Sequence, residues 1–256
     1  MLRYVINLDS STDRWDAMKQ RLASLNITAE RISAVDGRKK TDKEIVDILY
    51  PMDYEYRYLF PRLLSKAEIG CFLSHRKCWQ ALVKSDEEWG LIMEDDLIIS
   101  DRAQFYMKDI SWLPENIKIC QLSTHEPDWS LWVKKETIKL SNNDEIIQPL
   151  DKAHGTQCYV ISKEVALTAL KYSEKLLAPV DDFLFSPYFE INKKYGTYRI
   201  QPTVVTQFEE GSVIGERKAE SLKAPFYVRH GLKRLLIRNK IKRMCRKGIR
   251  VESIFK

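Results

Sequence analysis

Three consecutive acids, Glu94-Asp95-Asp96, directly follow the apolar run Leu91-Ile92-Met93. Like charges side by side repel, so the triplet needs a reason. In extended geometry Glu94 and Asp96 point to one face and Asp95 to the other. Two carboxylates on one face, at the C-terminal end of a buried strand, suit a hard cation in the place where open α/β sheets bind ligands. Mn2+ or Mg2+ held there would bridge to a diphosphate and neutralise a departing group. The plainer reading is a solvated acidic turn in which Asp95 or Asp96 caps a following helix. A second pair, Asp181-Asp182, lies between Ala178-Pro179-Val180 and Phe183-Leu184-Phe185. A carboxylate at the edge of an apolar stretch can have its pKa raised and act as a general base. The plainer reading there is a helix N-terminus capped by Asp.

These acids must be held by elements that alternate between strand and helix patterns. Leu2–Leu8 reads as a strand, and Thr12 can cap a helix in which Trp15, Met18, Leu22 and Leu25 recur at helical spacing. Asp36-Gly37 marks a turn. Thr41-x-x-Glu44 and Ser65-x-x-Glu68 have the capping-box pattern, and the second opens a long helix with Ile69, Phe72, Leu73, Trp79 and Val83 on one face. Leu91-Ile92-Met93 suits a strand covered on both sides. Strands are expected again near 117–122 and 198–205, with a strand-to-helix passage over 157–170. The order predicts an α/β sandwich around a mostly parallel sheet. Residues 124–153, with Trp129 and Trp132, have weak periodicity and suggest an insertion or a lid.

The formal charge of +6 is unevenly spread. Residues 226–256 hold eleven Lys and Arg against the single acid Glu252, a net of +10, which leaves −4 on residues 1–225. That split argues against a nucleic-acid-binding body, and no reader motif is present. The apolar residues 232, 235, 236, 241, 244 and 245 are expected to form one stripe of a basic helix suited to an anionic membrane surface. Removing this tail is expected to weaken membrane binding and to spare catalysis. Five scattered cysteines, with no CxxC pair and no Cys/His cluster, argue against zinc and disulfides. The opening strand pattern does not look like a secretory signal, so a cytoplasmic protein is expected.

Several blocks, in order, resemble glycosyltransferase family 25, the lipooligosaccharide-type sugar transferases related to the collagen galactosyltransferases. They are Tyr4-Val5-Ile6-Asn7-Leu8 with Asp13-Arg14, Ala34-Val35-Asp36-Gly37, Glu68-Ile69-Gly70-Cys71-Phe72-Leu73-Ser74-His75 and Leu91 to Asp96. Gly155-Thr156-Gln157-Cys158-Tyr159-Val160-Ile161-Ser162, Pro179-Val180-Asp181 and Gln201 to Gln207 follow. The resemblance covers about residues 3–210. It implies a GT-A type, Rossmann-like nucleotide-binding sandwich. Composition and charge place the domain boundary near Ala224-Pro225, so the expected catalytic domain is 1–225 with the basic helical tail 226–256 appended. The resemblance also implies a UDP-sugar donor, transfer with inversion, and an oligosaccharide or lipid-linked acceptor. UDP-galactose is the expected donor, with glucosyl or other hexosyl transfer as the alternative. On the matching positions, Asn7, Arg14, Asp36, Ser74, His75, Asp95 and Gln207 would contact the donor. Glu94 and Asp96 would hold Mn2+ or Mg2+, and Asp181, or its neighbour Asp182, would be the base. The enzyme would sit peripherally on the inner face of the cytoplasmic membrane. A nucleotidyltransferase and a non-catalytic membrane-surface protein are the rival readings.

Overall fold

A computed structural model describes residues 1–51, 58–124, 130–207 and 232–256. The first half runs β1 (Leu2–Asn7), α1 (Thr12–Ser24), β2 (Glu30–Ser33), α2 (Asp42–Ile48), α3 (Lys66–Lys84), β3 (Trp89–Glu94), β4 (Leu97–Ile99), α4 (Ala103–Lys108), β5 (Ile119–Gln121) and β6 (Ser123–Thr124). The second runs β7 (Ser130–Val133), β8 (Ile138–Lys139), β9 (Glu145–Ile147), β10 (Cys158–Ser162), α5 (Lys163–Tyr172), α6 (Val180–Phe185), α7 (Glu190–Tyr195), β11 (Arg199–Gln201), β12 (Val205–Gln207), α8 (Leu232–Cys245) and β13 (Ile249–Glu252).

The main sheet has the order β2-β1-β3-β10-β5-β11-β9-β8. It is mixed. β3 lies parallel to β1, but β10 runs antiparallel to both β3 and β5. This reversal matters, because it brings the residues that precede β10 beside the end of β3, where Glu94 N–H donates to the Gln157 carbonyl at 2.8 Å. Alternation along the central strands feeds two apolar layers. Tyr4, Ile6, Ile92, Tyr159 and Ile161 face one layer, which includes Ile69, Phe72 and Trp79 of α3. Val5, Leu91, Met93, Cys158 and Val160 face the other, with Met18 and Leu22 of α1 and Tyr106 of α4. Leu91, Ile92 and Met93 are fully buried, as a strand between two layers requires.

Both capping boxes form, at Thr41/Glu44 and Ser65/Glu68. At the second, Ser65 Oγ accepts from Glu68 N–H at 3.2 Å and Glu68 Oε2 accepts from Ser65 N–H at 2.8 Å. α1 differs from expectation. Ser11, not Thr12, is the residue before its first turn, and no side chain caps it.

Part of the lid segment is ordered strand. β9 and β8 extend the main sheet, while β7 pairs with β13 from the end of the chain. Short strands in separate sheets explain why no single periodicity marks the segment. Trp132 lies on β7, partly exposed, and Trp129 falls outside the described residues. The boundary expected near Ala224-Pro225 also lies outside them.

The apolar positions of α8 do not form one stripe. Ile241 and Cys245 are buried against Leu150, with Ile237 and Met244 beside them, while Leu232, Leu235 and Leu236 are exposed. At about 100° per residue the two sets fall on nearly opposite faces. β13 then returns to the body, where Thr203 N–H donates to the Ile254 carbonyl and Lys256 N–H to the Thr203 carbonyl. No helix among the described residues is long and apolar enough to cross a membrane.

Candidate active site

A cleft of about 140 Å³ opens at the C-terminal ends of β1 and β3. Arg14, Asp36, Ser74, His75, Glu94, Asp95, Asp96 and Gln207 all line it. Asn7 is buried just beneath, donating to Asp95 Oδ2 at 2.5 Å.

The strand alternation expected for the acids stops at Glu94, the last residue of β3. Asp95 and Asp96 form a bend, and all three carboxylates reach the same cleft. Asp95 is held by Asn7 and by Arg14, whose Nη1 lies 3.4 Å from Oδ1. Asp96 Oδ2 accepts from Gln207 Nε2 at 2.8 Å and lies 3.8 Å from Arg14. Its Oδ1 is buried without a hydrogen-bond partner among the described residues. Burial and the neighbouring Glu94 push the Asp96 carboxyl up to about 6. Burial also raises Asp95, against the pull of Asn7 and Arg14. Glu94 Oε1 accepts from Thr156 Oγ1 at 3.0 Å and faces His75 Nε2 at 3.6 Å.

A divalent cation fits this donor set. A buried, unpartnered carboxylate oxygen beside a second carboxylate is an uncompensated arrangement that a hard cation would complete. Glu94 and Asp96 would hold it, while Asp95 is engaged by Asn7 and Arg14. A second grouping escaped the sequence reading, which found no Cys/His cluster. One ligand atom each from Cys71, His75 and Glu94 lie within 4.8 Å of one another. Cys71 and His75 are one helical turn apart, but Glu94 joins them only through the packing of α3 on β3. The Cys71 thiol is pushed well up by burial and then by Glu94, Asp181 and Asp96, which keeps it protonated.

Two glycines set the approach of α3 to the Asp36 turn. A Cβ on Gly70 would meet the Val35 carbonyl at 2.5 Å and Gly37 N at 2.6 Å, and one on Gly37 would meet the Lys66 carbonyl at 1.7 Å. Only hydrogen at both positions permits this backbone contact. Ser74 reinforces it, donating to the Gly70 carbonyl at 2.7 Å and accepting from Val35 N–H at 2.8 Å. What the geometry gives Ser74 is the fastening of the turn. Asp36 itself forms a bidentate pair with Arg38, at 2.8 and 2.9 Å, which holds its carboxyl below the usual range.

Asp181 and Asp182 stand in the first turn of α6, and Pro179 rather than an Asp precedes the helix. They are not among the residues lining the cleft. Lys152 bridges them, 3.4 Å from Asp181 and 2.8 Å from Asp182. His154 Nδ1 is 3.8 Å from Asp181 Oδ2. Asp182 is buried, and burial together with Asp181 pushes it up to about 6. Asp181 is the more accessible of the two. Lys152, His154 and Thr156 carry no local motif for these contacts. They arrive because antiparallel β10 returns the chain to the end of β3.

The family model for "Glycosyltransferase family 25 (LPS biosynthesis protein)" matches residues 1–184. Human procollagen galactosyltransferase 2 is 30% identical over 191 residues, covering 71% of this chain and 29% of that protein. Lipooligosaccharide biosynthesis protein lex-1 of Haemophilus influenzae is 28% identical over 156 residues, covering 57% of this chain and 51% of that one. The chain thus spans about a third to a half of these relatives' lengths. A solved glycosyltransferase involved in glycosylation of the major capsid of PBCV-1 aligns over 83% of this chain and 95% of its own, at 9% identity and a TM-score of 0.40. With most of the motif blocks lining one cleft and the family model covering most of its length, the chain belongs to glycosyltransferase family 25.

Proposed function

We propose that this chain is a metal-dependent, inverting transferase that moves a hexose, preferentially galactose from UDP-galactose, onto a lipid-linked oligosaccharide of the lipooligosaccharide type. The observation that carries the reading is the convergence of Glu94, Asp95, Asp96 and Arg14 on one cleft, with the Asp96 Oδ1 atom buried and without a partner among the described residues. The names of the relatives support galactosyl transfer and a lipooligosaccharide acceptor. Mn2+ or Mg2+ would supply charge neutralisation for the departing diphosphate. Arg14 adds a fixed positive charge on the same side, and Asn7 orients Asp95. The Asp36 turn closes the cleft at the edge where the nucleoside would lie.

Inversion needs a base on the face opposite the leaving group. Asp181 has that role in this reading. Its greater access suits contact with an acceptor hydroxyl, whereas Asp182 is tied to Lys152 inside the fold. Lys152 and His154 hold the Asp181 carboxylate in place. Residues 226–256 would bring the enzyme to the inner face of the cytoplasmic membrane, with Leu232, Leu235 and Leu236 as the inserting side of α8 and nearby Arg238, Lys242 and Arg243 meeting anionic headgroups.

A donor screen measuring UDP release with Mn2+ and a truncated oligosaccharide acceptor tests the proposal. Acceptor-dependent UDP release from one UDP-hexose is the expected result. Consumption of a nucleoside triphosphate in place of a UDP-sugar would make the chain a nucleotidyltransferase. No turnover of either would leave a binding protein.

A further inference from the structure

Beneath Glu94 a fully buried chain of hydrogen bonds runs through Trp79, Tyr159 and His75. Trp79 Nε1 lies 3.0 Å from Tyr159 Oη, and Tyr159 Oη lies 2.9 Å from His75 Nδ1. All three side chains are buried completely, and the His75 and Tyr159 rings stack at 5.6 Å. An indole N–H is a donor only. Tyr159 Oη therefore accepts from Trp79, and its own proton has one buried acceptor within reach among the described residues, His75 Nδ1. An imidazole that accepts at Nδ1 carries its proton at Nε2 when neutral. That nitrogen is buried, has no hydrogen-bond partner among the described residues, and points at Glu94 Oε1 across 3.6 Å.

We infer that Tyr159, oriented by Trp79, is a positioning residue that locks His75 as an Nε2–H donor toward Glu94. His75 is then no metal ligand, although Cys71, His75 and Glu94 lie close enough together to suggest a three-ligand site. An Nε2-bound metal would need the proton on Nδ1, and the Tyr159 hydroxyl proton would be left buried without an acceptor, which is costly. Glu94 Oε1 accepts from Thr156 Oγ1 at 3.0 Å, and the His75 Nε2–H faces the same oxygen at 3.6 Å, so both groups favour one orientation of the carboxylate.

The test is direct observation of the imidazole tautomer. Long-range proton–nitrogen correlation spectra of protein enriched with 15N-histidine are recorded at pH 8 on the full chain. His75 is assigned by elimination, with His125, His154 and His230 each replaced by Gln. The expected result is the neutral Nε2–H form, and in Tyr159→Phe a shift to the Nδ1–H form or to a mixture. Trp79→Phe, which leaves the tyrosine hydroxyl in place, should give a smaller change. An Nδ1–H or imidazolium form in the wild type overturns the inference, as does an unchanged Nε2–H form in Tyr159→Phe. Zn2+ titrated into the wild type should leave the His75 signals in place, and their loss would restore the three-ligand metal site. The kinetic arm rests on the sugar-transfer reading: Tyr159→Phe should lower kcat about 10- to 100-fold, with the donor KM changed less than about threefold. Failure of the donor screen would remove that arm and leave the tautomer measurement standing.

Discussion

Asp96 is the side chain whose state depends most on what enters the cleft. Its folded-state pKa, about 6, is raised above the ordinary carboxylate value by burial and by Glu94. A raised carboxyl contributes stability that is complete below about pH 4 and is lost as the pH climbs through about 6. Cation binding has the opposite dependence, because it needs the carboxylate. The thermal shift produced by Mn2+ should therefore be larger at pH 7.5 than at pH 5, and Asp96→Asn should abolish it at both. A Mn2+ shift equal in Asp96→Asn and wild type would remove Asp96 from the cation site. For Asp181→Ala, transfer should fall by at least about a hundredfold, the usual scale for a general base, while Mn2+-dependent UDP binding measured by calorimetry stays within about threefold. Loss of both together would take Asp181 out of the base role.

Among the elements, α3 does the most to shape the cleft, and Gly70 is where its position is decided. Gly70→Ala would drive a Cβ into the Val35 carbonyl and Gly37 N, both rigid backbone atoms. The expected cost is about 1–3 kcal/mol, the usual range for overpacking, read as a lower Tm. Donor KM should rise as well, because the Asp36 turn must move. Ser65→Ala should cost about 1 kcal/mol through the lost cap and leave the donor KM alone. α3 was legible from sequence, because capping and apolar spacing are local signals. The same holds for Leu91-Ile92-Met93, whose unbroken apolar run reports burial on both faces. The direction of β10 was not legible, since one strand's residues do not say which neighbour it pairs with. Lys152, His154 and Thr156 were missed for that reason, and so was the meeting of Cys71 and His75 with Glu94. On α8 the composition was read correctly but its two apolar faces were merged, because body-facing and solvent-facing leucines and isoleucines look alike in a sequence.

For the molecule as a whole, the two-faced α8 changes how membrane attachment is tested. Truncation after Pro225 would remove β13 along with the helix, and β13 is paired with β7 inside the body. The triple variant Leu232→Ser, Leu235→Ser, Leu236→Ser alters only exposed side chains of α8. It should sediment several-fold less with phosphatidylglycerol vesicles, keep the wild-type Tm, and retain transfer to a soluble acceptor. Unchanged sedimentation would place membrane contact elsewhere. Charge division has a parallel consequence: if residues 1–225, at net −4, bind a diphosphate as proposed, they would depend on Arg14 and a cation more than a neutral protein would.

Arg199 on β11 is buried and paired with no carboxylate among the described residues, and burial lowers its pKa to about 10. Its guanidinium donates to Gln121 Oε1 on β5, to the His154 carbonyl at 3.1 Å, and to Ser253 Oγ at 3.3 Å. One cation thus fastens the last residues described here to the loop whose His154 faces Asp181. On the proposed role of Asp181, Ser253→Val should leave the cleft's cation binding intact yet lower kcat, because the loop beside Asp181 loses part of its anchor. In the proposed mechanism the β13 segment would then act as a set-screw for the acceptor side: changing Ser253 would retune the alignment of Asp181 without touching the donor.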